Sequence, residues 1–413
     1  MKALLSEDLS ADAAVEIAMM RSPRLQMALA EVGIARGELI ESSTIANPLL
    51  QADIRFPASP FNPFELRLSQ TLVELIQLPK RRAIGRVAFQ AASLRVTSEV
   101  LRFAADVRAA YYDLVASTLH LGRSRTIAEA RKAAAELAMR QHDAQTINDL
   151  DLETEQATYE QAKLELARAE RNLLGARAKL TIEMGIAHLP VDWRVPDAFP
   201  PLPPEERTQE ELERLTAAQR LDLAIARLEL DIARRRVPIS RLAAFGEITI
   251  HGDIQREPDG IRTYGPGIDL PIPIFNTGRG ARTRAEAAFV RARHLVDALT
   301  QEASATLAIA RVTLDEARAR VEYFRDVLLP RRRRIVELTK VAHNAMLIGV
   351  FQLLQAAQNE AEAQRDSIEA QREYWTARTD LDRVLNGIPG HDGMAGAGRG
   401  IERTSSPRFG GGH

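Results

Sequence analysis

The chain repeats itself with a period of nearly half its length, and this constrains its fold more than any other feature. Arg24, Leu25, Ala28 and Ala30 recur at the same spacing as Arg220, Leu221, Ala224 and Ala226. Around them, residues from about 10 to 185 and from about 209 to 387 carry one order of patterns twice. That order is a helix, two alternating strands, a very long helix, a reversal and a return helix. Solenoid units run to ~20–50 residues, so this period excludes a solenoid and defines a duplicated half-molecule. The expected organisation is a first repeat over residues 1–189, a Pro-rich connector over 190–208 and a second repeat over 209–387. A Gly-rich tail over 388–413 is expected to be disordered.

In the first repeat, residues 10–42 read as a helix that Ser10 or Asp12 caps. Asn47-Pro48 opens an alternation in which Leu50, Ala52, Ile54 and Phe56 oppose Gln51, Asp53 and Arg55. A Pro- and Asn-containing turn over 57–63 follows, and then Phe64, Leu66 and Leu68 alternate with Glu65, Arg67 and Ser69. This is a hairpin with one apolar and one polar face, its strands expected at about 48–57 and 64–75. From about 82 to 140 only Gly85 and Gly122 interrupt the helical pattern. Val107, Ala110, Leu114, Ser117 and Leu121 keep the 3-4 spacing of a coiled-coil seam. Residues 141–149 are polar and read as a reversal. On the return helix, Leu152, Tyr159, Ala162, Leu166, Ala169, Leu173, Ala176 and Leu180 hold the a and d positions of one heptad register.

The second repeat follows suit, with strands expected at about 246–256 and 263–274 around a Pro-Asp-Gly turn at 258–260. Ile250 and Ile254 alternate with His251 and Asp253, and Ile268 and Leu270 with Asp269 and Pro271. The long helix, about 279–345, carries the seam Leu307, Ala310, Leu314, Ala317, Val321, Phe324 and Leu328 and should kink at Pro330. Its return helix is expected at about 350–385.

Apolar residues make up 45% of the chain but aromatics only 5%, so Ala, Leu, Val and Ile dominate, which suits helix-on-helix packing. The absence of Cys excludes disulfides, thiolate metal sites and a cysteine nucleophile. A net charge of -1 gives no electrostatic case for nucleic acid. No run of 18 apolar residues offers a membrane-spanning helix. Residues 1–9 (MKALLSEDL) lack the apolar core of a signal peptide. Taken literally the chain would stay in the cytosol; the other reading starts it downstream of its true start codon.

Strands of about ten residues are long enough to cross a bilayer as a tilted barrel. Four strands cannot close one, and open edges are not tolerated in lipid. Three chains would supply twelve strands and bring their long helices together. The pattern therefore fits a mainly α fold with β: a duplicated helix, β-hairpin and long helical hairpin, forming a trimeric 12-stranded β-barrel continued by an α-helical coiled-coil barrel. Two soluble hairpins, each with one wet face, fit the same periodicity. The lipid-facing positions in the barrel reading are Leu50, Ile54, Leu66, Leu68, Ile250, Ile268 and Leu270.

Four segments carry a resemblance. Asn47-Pro48 follows the first helix, QTLVELIQLPKRR spans 70–82, LPIPIFNTGRG spans 270–280, and VRAAYYDL spans 107–114. Their order across two repeats resembles that of the TolC-type outer-membrane efflux proteins, and within them the CzcC- and CusC-like cation and heavy-metal efflux branch. The resemblance implies a homotrimeric, non-enzymatic duct in the outer membrane with a periplasmic extension. It would export metal cations or small toxic compounds, with a periplasmic adaptor on its helical tips and an inner-membrane pump, of RND type, supplying energy. The contacts it implies are with outer-membrane lipid and not with nucleic acid, and it implies no cofactor. The resemblance also assigns the periplasmic entrance to Asp151, His343, Ile348, Gln352 and Gln355. Gln352 and Gln355 stand where some members carry aspartates, and Ile348 stands where a basic residue latches the closed entrance onto the acid matched by Asp151. The family's Ala-Tyr-x-x-Gly at the second reversal is Ala342, His343, Asn344, Ala345, Met346 here. An Asp151–His343 pair is a candidate substitute latch, and a solvated histidine with no partner is the reading the sequence favours.

No two of the eight His share helical metal-site spacing, so no metal site is expected, and His251 on the polar strand face reads as structural filler. The four consecutive Arg at 331–334 spread around a helix instead of forming a stripe. A nucleic-acid-binding helical protein would use them, and a soluble coiled-coil protein or non-functional paralogue would carry them as solvated charge. No phosphate loop or paired-carboxylate cleft supports an enzyme.

Overall fold

The computed structural model describes residues 8–56, 62–189, 192–241 and 248–390. The turn over 57–61 and the tail from 391 onward lie outside the described residues.

Helix α1 (Ala11–Arg21) is capped by Ser10, whose hydroxyl accepts from the Ala13 N–H at 3.1 Å. The single helix expected over 10–42 is two. Ser22 is extended, and α2 (Pro23–Ser43) restarts at Pro23, where a proline has no hydrogen bond to lose. The second repeat breaks in the same place without a proline, at extended Arg220 between α5 (Gln209–Gln219) and α6 (Leu221–Ser240). Thr208 and Glu211 close a reciprocal cap at the start of α5.

Strands β1 (Leu49–Ile54), β2 (Phe64–Thr71), β3 (Thr249–Arg256) and β4 (Arg262–Asp269) form one antiparallel sheet in that order. The two hairpins join through β2 and β3, so the sheet is a product of both repeats. β2 is shorter than expected. Leu72 donates its N–H to Ile248 across the sheet end, and α3 (Leu72–Asp143) begins at that residue, about ten residues early. Pro79 is accommodated within it at the loss of one backbone bond. β4 stops at Asp269, because Pro271 and Pro273 cannot donate to a ladder.

The return helix α4 (Asp149–Glu183) and the pair α7 (Arg279–Tyr323) and α8 (Leu329–Asn344) follow the seams. All eight a and d residues of α4 are buried or half-buried. Between α7 and α8 the expected kink is a π-helical turn, Phe324–Leu328, in which the Leu329 N–H reaches back to the Phe324 carbonyl. The wider turn makes room for the ring and missing N–H of Pro330. Helix α9 (Val350–Leu385) completes the second repeat.

The chain divides into two compact units. One holds the sheet, with residues 27–99 and 221–303. In it Gly85 lets α3 approach α2, since a Cβ there would meet Ser42 Oγ at 2.0 Å. The other unit, residues up to 26, 100–220 and from 304 onward, is helical. It has two apolar clusters, one around Phe103, Tyr111, Leu114, Leu180 and Trp193, the other around Leu307, Leu314, Tyr374 and Leu385. Trp375 packs against both.

Gly185 ends α4 with φ +68°, and a Cβ there would lie 2.7 Å from the Arg21 carbonyl oxygen. Gly185→Ala combines the left-handed penalty with a backbone clash. It should cost about 2 kcal/mol, read as a lower denaturation midpoint at unchanged slope.

Candidate functional site

Two places concentrate functional character, the helical reversals and the sheet.

The reversals share one backbone design. In the first, Gln145 adopts φ 56°, and the Ala144, Gln145 and Thr146 N–H groups donate back to Arg140, His142 and Gln141. In the second, Met346 adopts φ 58°, and Ala345, Met346 and Leu347 donate back to Val341, His343 and Ala342. His142 and His343 thus hold corresponding places in the two turns, a correspondence hidden when the histidines are counted as scattered. Their partners differ. His142 Nε2 lies 2.7 Å from Asp149 Oδ1, at the start of α4. His343 Nδ1 lies 3.1 Å from the Ile348 carbonyl in its own turn. Asp151 sits in the first turn of α4, where its N–H donates to the capping Asn148 Oδ1 at 2.9 Å.

Ile348 is half-buried, while Gln352 and Gln355 are exposed on the first turns of α9. Gln355 donates to Asn359 Oδ1 at 3.1 Å. The second reversal therefore presents amides and apolar groups instead of carboxylates. Met346 is 94% and Leu347 76% exposed, which makes its apex an apolar patch.

The sheet sorts its side chains by register. On one face Leu50 opposes Leu68, Leu66 lies between Ala52 and Ile254, and Ile250 opposes Ile268. Leu50, Ile54, Leu68, Ile250 and Ile268 are exposed, and Leu66 is half-buried. Leu270 follows the end of β4, also exposed. The other face is charged. Arg67 Nε donates to Asp253 Oδ1 directly across β2 and β3 at 2.7 Å, and Arg67 also reaches Glu65 at 3.1 Å. His251 lies on this face between Asp253 and Asp269.

Within the helical unit, α3, α4 and α9 line an open cleft of about 980 Å³. Ion pairs cross it from Arg372 to Asp113 at 3.2 Å and from Arg365 to Glu165 at 3.5 Å. His120, and then Arg372, hold the Glu369 carboxyl down at about 2. These charges satisfy one another and mark a helix interface. The Arg at 331–334 lie on α8, and Arg333 reaches Glu360 on α9 at 3.8 Å. Among the described residues no group of three or more His, Asp or Glu is placed to hold a metal ion, and no helix is long and apolar enough to cross a membrane.

Each half of the chain thus contributes a helical hairpin and two strands to a sheet with one apolar and one charged face. Residues 212–387 match the family model of outer membrane efflux proteins. The chain is 22% identical over 385 residues to the cobalt-zinc-cadmium resistance protein CzcC of Cupriavidus metallidurans, covering 91% of this chain and 90% of that one. The outer membrane channel CmeC of Campylobacter jejuni has the same fold, with a TM-score of 0.74 at 16% identity over 94% of this chain and 88% of that one. CusC, whose structures describe transmembrane channel formation, gives 0.67 at 16% identity over 92% of each chain. Over nine-tenths of its length the chain is similar to the CzcC- and CusC-like outer-membrane efflux proteins. The family match and these likenesses support an outer-membrane component of efflux.

Proposed function

We propose that three copies of this chain close a twelve-stranded barrel and form a duct that carries metal cations out of the periplasm. The observation that carries this reading is the sheet, apolar on one register-locked face, charged on the other and open at β1 and β4. In lipid those open edges must pair, and neighbouring copies supply the partners. The apolar face then meets lipid at Leu50, Ile54, Leu66, Leu68, Ile250, Ile268 and Leu270, and the charged face lines the duct. The two repeats and their Pro-rich connector act as one protomer of this assembly.

In this reading Asp151, His343, Ile348, Gln352 and Gln355 surround a periplasmic entrance without a ring of carboxylates. A periplasmic adaptor docks at the reversals, and an inner-membrane pump of the RND type supplies the energy. The metal cargo is supported by the likeness to a cobalt-zinc-cadmium resistance protein. Deleting the gene should sensitise cells to Zn²⁺, Co²⁺ or Cd²⁺, and the intact gene should restore resistance. Sensitivity to organic compounds alone would reject the metal cargo.

The exposed Met346 and Leu347 give a direct test of docking. Replacing both by Asp swaps an apolar patch for charge that a partner must desolvate. Resistance should fall at least tenfold while the amount of protein in the outer membrane stays at the parental level. Parental resistance would remove this apex from the docking surface.

A further inference from the structure

We propose that His251, with a carboxylate beside each ring nitrogen, is a low-affinity stopping point for a borderline divalent cation on the wall of the duct. The inference rests on the duct reading, which turns this face of the sheet inward.

The site is built by the backbone. His251 on β3 is paired in register with Gly267 on β4. Its ring occupies the space a side chain would take, since a Cβ at Gly267 would lie 2.1 Å from His251 Nε2. The imidazole is only 10% exposed, and its buried Nδ1 has no hydrogen-bond partner. Such an orphaned nitrogen costs free energy that structural filler would have no reason to bear.

The distances point to what fills the gap. His251 Nδ1 stands 3.4 Å from Asp269 Oδ2, and Nε2 stands 3.3 Å from Asp253 Oδ2. Both exceed the usual ~2.9–3.0 Å of an N–H···O bond. Two donors each about 2.1 Å from a tetrahedral ion stand about 3.4 Å apart, so each edge of the ring matches the span of two adjacent ligands. The edges are not equal. Asp253 Oδ1 accepts from Arg67, whose positive charge opposes a second cation there. Asp269 is 65% exposed and open to an arriving ion. The Nδ1–Asp269 edge is therefore the favoured one.

Imidazole beside carboxylate selects ions such as Zn²⁺, Co²⁺ or Ni²⁺ over Ca²⁺ and Mg²⁺, which prefer all-oxygen shells. Two protein donors with water completing the shell hold such an ion weakly. Weak holding suits cargo, because conduction needs a site an ion can leave as readily as enter.

The test is Zn²⁺ block of KCl current through the purified full-length protein in planar bilayers. Zn²⁺ should reduce the current and equimolar Ca²⁺ should not. The half-blocking concentration, read against each variant's own unblocked current, should rise at least tenfold in His251→Gln and several-fold in Asp269→Asn. Parental block in His251→Gln would overturn the site, as would block lost instead in His142→Gln at the first reversal. Current without any Zn²⁺ block overturns this inference alone. A parent protein that carries no current overturns the duct reading and this inference with it.

Discussion

Leu68→Arg should leave little assembled protein in the outer membrane. Leu68 is 54% exposed near the middle of β2, facing Leu50 on one side and Gly252 on the other. An arginine on the lipid face of a barrel costs about 2–4 kcal/mol near the bilayer midplane, and each copy in the assembly bears it. The same substitution at an exposed position in water would stay within about 0.5 kcal/mol. The large difference makes the variant a test of what covers this face. Gln255→Arg is the matched control. It lies on the charged face directly opposite Glu65, where a new guanidinium gains a carboxylate partner. Outer-membrane fractionation with a count of assembled trimers reads both. Loss of Leu68→Arg beside normal yield of Gln255→Arg is the expected result. Equal, parental yields would mean that lipid does not meet Leu68.

The elements that could be read from the sequence are those that repeat a rule many times. The strand alternation is such a case, because a one-residue slip would turn Leu50, Leu66, Leu68, Ile250 and Ile268 to the charged face together. The seam of α4 is another, since eight positions in one register leave no second solution. Boundaries were less legible because they turn on single residues. The stretch 72–78 (LVELIQL) is apolar enough to continue a strand or to start a helix. The Leu72 N–H bond to Ile248, a residue in the other repeat, decides for the helix. Ser22 shows the same limit, as nothing beyond the adjacent Pro23 announces a break there, and Arg220 breaks without even that sign. The site was half legible. The polar face was clear, but the vacant Cβ position at Gly267 that seats His251 depends on the β3–β4 register. The entrance residues were assigned by resemblance alone, and the local contact of His343 with the Ile348 carbonyl has no signal in the sequence.

Glu206→Ala should destabilise the helical unit by about 2 kcal/mol, below the cost for a fully buried pair because the two guanidiniums left without their anion are half-buried. Glu206 lies in the connector before α5 with its carboxylate 9% exposed. Arg378 donates to it at 2.9 Å, Arg318 at 3.3 Å and the Tyr374 hydroxyl at 2.5 Å. Those partners are 112 to 172 residues away in the chain, which is why no sequence pattern announced them. Arg318 also donates to the Pro204 carbonyl at 3.1 Å, so the network fastens a segment whose prolines cannot fasten themselves by helix or ladder. Glu206→Gln keeps an acceptor and should cost less, and Tyr374→Phe should cost about 1 kcal/mol. The double variant Glu206→Ala with Tyr374→Phe should cost less than the sum of the two, because the residues share one network. The network also has a pH signature. Burial first, and then Glu206, push the Tyr374 phenol up to about 12, so folding favours its neutral form. That contribution is complete below the ordinary tyrosine pKa near 10 and is lost as pH rises through about 12. Helical circular dichroism against denaturant, at pH 8 and at pH 11, reads every arm. A Glu206→Ala midpoint within about 0.5 kcal/mol of the parent would put the pair among exposed surface bridges, and the connector would then be held by apolar packing alone.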